Sequence, residues 1–154
     1  AGHGATFILD LPVTKDPGAV DKAATAAAAV STSRLRVLII DDEQSLQNFL
    51  VEFLTSAGHS VDTASDVPEA LRKIAANEHD LIISDIKMPR GSGKDIYRAV
   101  VEKSPRLARR IVFTTGDGAS AETRRFLEET GNEVVLKPFR IEDLRQVIAR
   151  AIGN

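Results

Sequence analysis

The sequence of 154 residues contains no cysteine. That excludes a disulfide framework and any thiolate metal site, and it fits a reducing compartment. An excess of charge of one sign is also missing: 20 basic residues stand against 22 acidic ones, for a formal net charge of -2. A nucleic-acid binder carries a basic excess or stripe, so no nucleic-acid contact is expected. No apolar run reaches membrane-spanning length, and no signal-peptide pattern opens the chain. Membrane contact by this chain is therefore not expected, and a cytoplasmic location is. What is present suits a globular domain: 43% of the residues are hydrophobic, enough at this length for a real core.

Residues 1–34 differ from the rest. Phe7, Leu9 and Leu11 alternate within Ala5–Pro12, as in a single strand. Lys15-Asp16-Pro17-Gly18 then breaks the pattern. Ala23–Ala29 is nearly all alanine, helix-favouring but without a large apolar stripe to bury. Residues 13–34 are read as an Ala-rich linker. From Arg36 a regular alternation begins. Val37–Ile40 is a short β-branched and apolar run, the mark of a strand buried on both faces. Leu46, Phe49, Leu50, Phe53 and Leu54 follow at helical spacing, ending near Gly58. Four further strands are expected at Ser60–Ala64, Leu81–Ser84, Ile111–Phe113 and Val134–Leu136, each followed by a helical pattern. Such alternation requires right-handed crossovers, hence a doubly wound parallel sheet with helices on both faces.

In such a sheet, ligands bind outside the carboxyl ends of the strands. The first strand ends in Asp41-Asp42-Glu43, the third in Asp85, the fourth in Thr114-Thr115-Gly116 and the fifth in Lys137-Pro138-Phe139. Acids, a hydroxyl and a lysine thus converge on one edge. Clustered carboxylates raise one another's pKa unless a cation intervenes, and a hard divalent ion such as Mg²⁺ meets that need. A carboxylate beside Mg²⁺ can act as a nucleophile toward phosphorus. Phosphoryl transfer asks mainly for charge neutralisation on the transferred oxygens, which Mg²⁺, Lys137, Thr115 and backbone N–H groups would supply. Each residue alone has an ordinary reading. Asp41 or Asp42 could cap the first helix, Asp85 could be a loop residue, Thr115 a turn hydroxyl and Lys137 a solvated lysine. Their joint placement at the same ends of successive strands favours the chemical reading.

Taken in order, Asp41-Asp42, Asp85-Ile86-Lys87-Met88-Pro89 with Gly93, Thr115 and Lys137-Pro138-Phe139 resemble the receiver domain of two-component response regulators. The resemblance covers about residues 35–153 and implies a flavodoxin-like five-stranded sheet of order 2-1-3-4-5. It implies Mg²⁺ held by Asp42, Asp85 and the backbone carbonyl of Lys87, with Asp41 assisting through water. It also implies that Asp85 accepts phosphoryl from a phosphohistidine, that Thr115 and Lys137 bind the phosphoryl group, and that the Lys137–Pro138 peptide is cis. Such a domain catalyses its own phosphorylation and slow hydrolysis rather than acting as a free enzyme. Two positions depart from the common pattern. Val134 stands where many receivers carry an aromatic residue, so an aromatic flip there cannot be the read-out. Gly116 stands where alanine is common and is expected to loosen the loop and speed turnover.

Gly2–Pro12 resembles the closing strand of a histidine-kinase ATP-binding domain. Residues 1–12 would then be a remnant of that domain, 13–34 a linker and 35–154 the receiver of a hybrid sensor histidine kinase. The chain ends soon after its last helical pattern, so no C-terminal DNA-binding module is expected in it. Expected partners are the histidine kinase core, in cis or in trans, and a histidine phosphotransfer protein; self-association through the orphan strand is a further expectation. His3, His59 and His79 receive no catalytic role. A stand-alone single-domain regulator remains an alternative. A phosphatase or phosphotransferase with an aspartyl intermediate would want an Asp-x-Asp motif after the first strand, which Asp41-Asp42-Glu43 lacks. A flavin-binding module would want a hydroxyl-rich loop there instead.

Overall fold

A computed structural model describes residues 33–116 and 120–153. The strand expected before Pro12 and nearly all of the expected linker lie outside the described residues. In chain order the elements are β1 (Arg36–Ile40), α1 (Gln44–Ser56), β2 (Ser60–Ala64), α2 (Val67–Ala76), β3 (Leu81–Asp85), β4 (Lys87–Met88) and β5 (Gly91–Ser92). They continue with α3 (Gly93–Lys103), α4 (Pro105–Arg109), β6 (Ile111–Thr115), α5 (Ala121–Thr130), β7 (Val134–Leu136) and α6 (Ile141–Gly153).

The main sheet has five strands in the order β2-β1-β3-β6-β7, and every neighbouring pair is parallel. Counting only these strands, this is the expected 2-1-3-4-5 order. The three central strands are the most apolar because both of their faces are covered: Val37 to Ile40 are fully buried, as are all of Leu81–Asp85 and Ile111–Thr115. Strand alternation sends Val37 and Ile39 to one face and Leu38 and Ile40 to the other. The first pair packs with α1 and α6 through Leu50, Leu54, Leu144 and Val147. The second packs with α2 and α3 through Ala70, Ile96 and Val100, and α5 adds the partly buried Phe126 and Leu127.

Three details differ from the sequence-based expectation. Lys87–Met88 and Gly91–Ser92 pair as a small antiparallel ladder in the β3–α3 connection, too short to leave an alternation in sequence. Helix α4 is likewise one short piece; Pro105 opens it and the Ser104 hydroxyl accepts from the Leu107 N–H at 3.3 Å, a favoured arrangement at a helix start. Phe49, placed by its spacing on the apolar stripe of α1, is 41% exposed and lines a surface groove with Leu46 and Phe139. Among the described residues, no helix is long and apolar enough to cross a membrane.

Candidate functional site

The parallel register brings the ends of β1, β3, β6 and β7 side by side. Ile40 lies beside both Ala64 and Ser84, Asp85 beside Thr114 and Thr115 beside Leu136. Asp85 and Thr115 at the ends of their strands, and Asp41 and Lys137 one residue past theirs, therefore lie along one edge of the sheet. The Asp41 N–H donates to the Ala64 carbonyl at 3.1 Å, and the Lys137 N–H donates to the Thr115 carbonyl at 2.8 Å. The functional residues are thus extensions of the ladder, held by backbone rather than by loose loop.

Asp41, Asp42 and Asp85 come together, with one carboxylate oxygen from each lying within 4.8 Å of the others. Asp41 is 2% and Asp85 7% exposed, whereas Asp42 faces solvent. The Lys137 ammonium, from a loop 52 and 96 residues away in sequence, donates to Asp85 Oδ2 and to Asp41 Oδ2 at 2.7 Å each. The remaining oxygens are used locally. Asp41 Oδ1 accepts from the Glu43 N–H at 2.9 Å, and Asp85 Oδ1 accepts from the Lys87 N–H at 3.0 Å. The Lys137–Pro138 peptide is cis, as the resemblance implied. Thr115 is fully buried at the end of β6, on the same side of the strand as Phe113.

The alternative of simple helix capping does not hold. The N-cap of α1 is Glu43, which makes no side-chain cap bond, and Asp41 instead turns back to bind the Glu43 N–H. One ammonium is shared by two carboxylates, and the electrostatics follow from that ratio. Burial pushes Asp41 above the ordinary carboxylate value, and its half-share of Lys137 does not bring it back. Burial pulls Lys137 down, but the hydrogen bonds it donates to Asp41 and Asp85 outweigh it and hold the ammonium above the usual lysine value. Three carboxylates against one ammonium leave an excess of negative charge, and every donor in the cluster is an oxygen. That set fits a hard divalent cation and is unsuited to a soft one.

Two residues support the site: Gln47 escaped the sequence reading, whereas Gly93 was part of the motif there but without a stated role. Gln47 lies on the same face of α1 as Leu50 and Leu54 and is 2% exposed. Its amide donates to the Asp41 carbonyl at 2.5 Å and to the Ala64 carbonyl at 3.0 Å, tying the ends of β1 and β2 beneath the acids. The signal for it was a polar residue on an apolar helical stripe. Gly93 starts α3 hard against the site: a Cβ there would sit 2.8 Å from the Asp85 carbonyl oxygen and 3.0 Å from the Phe113 ring. Only glycine permits that approach. Gly116, by contrast, has open space around it.

Comparison with known proteins agrees with this geometry. The family profile described as "Response regulator receiver domain" matches residues 37–149. The two-component response regulator PhoP of Pseudomonas aeruginosa is 31% identical over 110 residues, which cover 71% of this chain and 48% of that protein. The sensor protein EvgS of Escherichia coli is 28% identical over 145 residues, 94% of this chain and 12% of that one. The chain thus spans at most about half the length of these curated relatives. Among solved structures, the non-phosphorylated HemR receiver domain of Leptospira biflexa aligns with a TM-score of 0.70 at 29% identity, covering 79% of this chain and 96% of that domain. A profile match over most of the chain, an aligned receiver fold and acids gathered at the carboxyl ends of the strands lead to one conclusion: this chain belongs to the response regulator receiver domain family.

Proposed function

We propose that the domain takes phosphoryl from a phosphohistidine onto Asp85, as the receiver of a hybrid sensor histidine kinase. The observation that carries the chemical part is the shared ammonium: Lys137 Nζ lies 2.7 Å from both Asp41 and Asp85. A carboxylate held in place by a lysine, beside further acids, is equipped as a nucleophile toward phosphorus. Asp42, Asp85 and the Lys87 carbonyl, with Asp41 through a water, would hold Mg²⁺. When bound, the ion supplies neutralisation of the clustered carboxylates and of the phosphoryl oxygens.

In the reaction, an Asp85 carboxylate oxygen forms a bond to phosphorus while the bond from phosphorus to the imidazole nitrogen breaks. The nitrogen leaves with the electron pair. Lys137 holds Asp85 in line beforehand and faces the new phosphoryl oxygens afterwards. The Thr115 hydroxyl donates to one of those oxygens. Water attack on phosphorus then breaks its bond to the Asp85 oxygen, releasing inorganic phosphate and returning the carboxylate. A donor helix would dock against Leu46, Phe49 and Phe139, which with Glu43 and Ser45 line a groove of about 480 Å³ that reaches Lys137. An apolar groove with a polar rim, ending at the lysine that holds Asp85, suits an amphipathic helix carrying the donor histidine.

The hybrid-kinase setting is supported by the match to the sensor protein EvgS. It covers 94% of this chain, so it takes in most of residues 1–34 as well as the receiver. Residues 1–12 would be the last strand of the kinase's ATP-binding domain and 13–34 the linker, and the domain would work in the cytoplasm. A histidine phosphotransfer protein would receive the phosphoryl group onward.

The test is incubation with acetyl phosphate and Mg²⁺, read by intact mass. The expected result is one phosphoryl adduct on the wild type, absent from Asp85→Asn and abolished by chelator. An adduct of equal size on Asp85→Asn would refute the assignment of the nucleophile.

A further inference from the structure

The missing aromatic residue at Val134 raises the question of what relays the state of Asp85 to the surface. A different aromatic group stands close by. Phe113, two residues before Thr115 on β6, meets Phe126 of α5 edge-to-face at 5.3 Å between ring centroids. Phe126 in turn meets Tyr97 of α3 edge-to-face at 5.7 Å. Lys94, on the first turn of α3, closes this column: its ammonium lies 5.5 Å from the Phe126 centroid and donates to Glu122 of α5 at 2.5 Å. The Lys94 side chain is 15% exposed although Glu122 is 85% exposed, so the lysine is the anchored member. Beyond these contacts, α5 is held by Thr123 and the partly buried Leu127. Thr123 is its one buried residue, against four each on α1 and α6.

We infer that the Lys94–Glu122 clasp, with the Phe113–Phe126–Tyr97 column, is the phosphorylation-sensitive latch of this receiver, and that Lys94 is a positioning residue for α5. The inference rests on phosphorylation at Asp85. Its physical basis is proximity and charge. Helix α3 begins at Gly93, packed on the Asp85 carbonyl. Lys87, whose N–H binds Asp85, already acts electrostatically on Glu122. A phosphoryl group adds about -1.5 to -2 charge. It attracts the Lys94 ammonium and repels Glu122, so the clasp is worth less in the phosphorylated state. An interaction that favours one state biases the equilibrium by that difference. Phe113 shares its face of β6 with Thr115, so movement of the strand end is passed through Phe126 to Tyr97.

The chain contains one tyrosine and no tryptophan, so intrinsic fluorescence reports on Tyr97 alone. We would follow that emission and the intact mass together during phosphorylation by acetyl phosphate with Mg²⁺, in the wild type, Lys94→Met, Glu122→Gln and Phe126→Leu. The wild type should change emission in step with the phosphoryl adduct. Lys94→Met and Glu122→Gln should gain the adduct about two- to fivefold faster, the worth of a partly exposed ion pair. Both should also show a smaller emission change, and Phe126→Leu should lose the change while still forming the adduct. Adduct formation with unchanged emission in the wild type would overturn the latch and leave the phosphorylation reading intact, as would variants that match the wild type in both readouts. No adduct on any of the proteins would overturn both. Circular dichroism of Glu122→Gln, altered only at an exposed side chain, separates a lost latch from a lost fold.

Discussion

The two ends of the sheet each gather acids around a base, and they do so in opposite ways. At the amino end, Arg36 pairs with Glu78 at 3.2 Å and Asp80 at 3.3 Å. These side chains are 49%, 86% and 32% exposed, and Asp80 also accepts the Arg36 N–H at 2.9 Å. Burial pushes Asp80 up, but its hydrogen bonds from Arg36 outweigh that and hold it below the ordinary carboxylate value. At the carboxyl end, Asp41 and Asp85 are buried with one lysine between them, and Asp41 is pushed up instead. The first cluster is satisfied within the protein and serves to fasten the start of β1 to the loop before β3. The second is left with surplus negative charge in a partly dry place, which is costly unless a cation and a ligand complete it. Burial and charge balance, more than residue type, separate a structural acid from a reactive one.

Ligand response offers the largest contrast. Mg²⁺ at 100 times its dissociation constant should stabilise the wild type by about 2.7 kcal/mol, read as a rise in thermal midpoint. Asp42→Asn should lose most of that rise and Asp80→Asn none of it. An equal loss in the two variants would erase the distinction between the ends.

Glycines sharpen the comparison at smaller cost. Gly131, in the turn before β7 at the amino end, has φ 66°, where a side chain costs about 1–2 kcal/mol. Gly116 at the carboxyl end has an ordinary φ and nothing within 4 Å of a built Cβ. Gly131→Ala should therefore lower stability by roughly 1 kcal/mol and leave the phosphoryl lifetime alone. Gly116→Ala should keep the stability and lengthen the lifetime several fold, by about 1 kcal/mol or less in barrier. Urea melts and the decay of the phosphoryl adduct measure the two effects, and equal decay rates would show that Gly116 has no part in turnover.

Acid unfolding gives the smallest effect. Because the folded value of Asp80 lies below its unfolded value, its contribution is present above that unfolded value, near pH 4, and is lost as pH falls through the folded one. Asp41 has the opposite sign: its raised value means that protonation favours the folded form as pH falls toward the carboxylate range. Asp80→Asn should flatten the acid limb of the stability curve slightly, seen in melts between pH 5 and pH 2, two values chosen to bracket the carboxylate range. A steeper limb would contradict the assignment.

Much of this was legible in the chain. The apolar runs at Val37–Ile40, Leu81–Ile83 and Ile111–Phe113 announced buried parallel strands, because only strands covered on both faces are apolar at every position. Once they were placed, Asp41, Asp42, Asp85, Thr115 and Lys137 fell at carboxyl ends, which is where a parallel sheet puts its ligands. The small β4–β5 ladder, helix α4 and the exposed Phe49 were not legible, since each depends on contacts that leave no period in sequence.

By itself, then, the sequence determined the five-stranded alternation, its parallel pairing and the set of residues delivered to one edge, because local period and strand handedness are short-range properties. The strand order came from the family resemblance. Only the tertiary structure decided how that set is arranged. It put one ammonium at 2.7 Å from two carboxylates, buried Asp41 and Asp85 while leaving Asp42 in solvent, and set Gln47 beneath them. It also joined Lys94 to Glu122 across two helices. These are contacts between residues far apart in the chain, and their distances are set by packing of the whole domain, which no local pattern encodes.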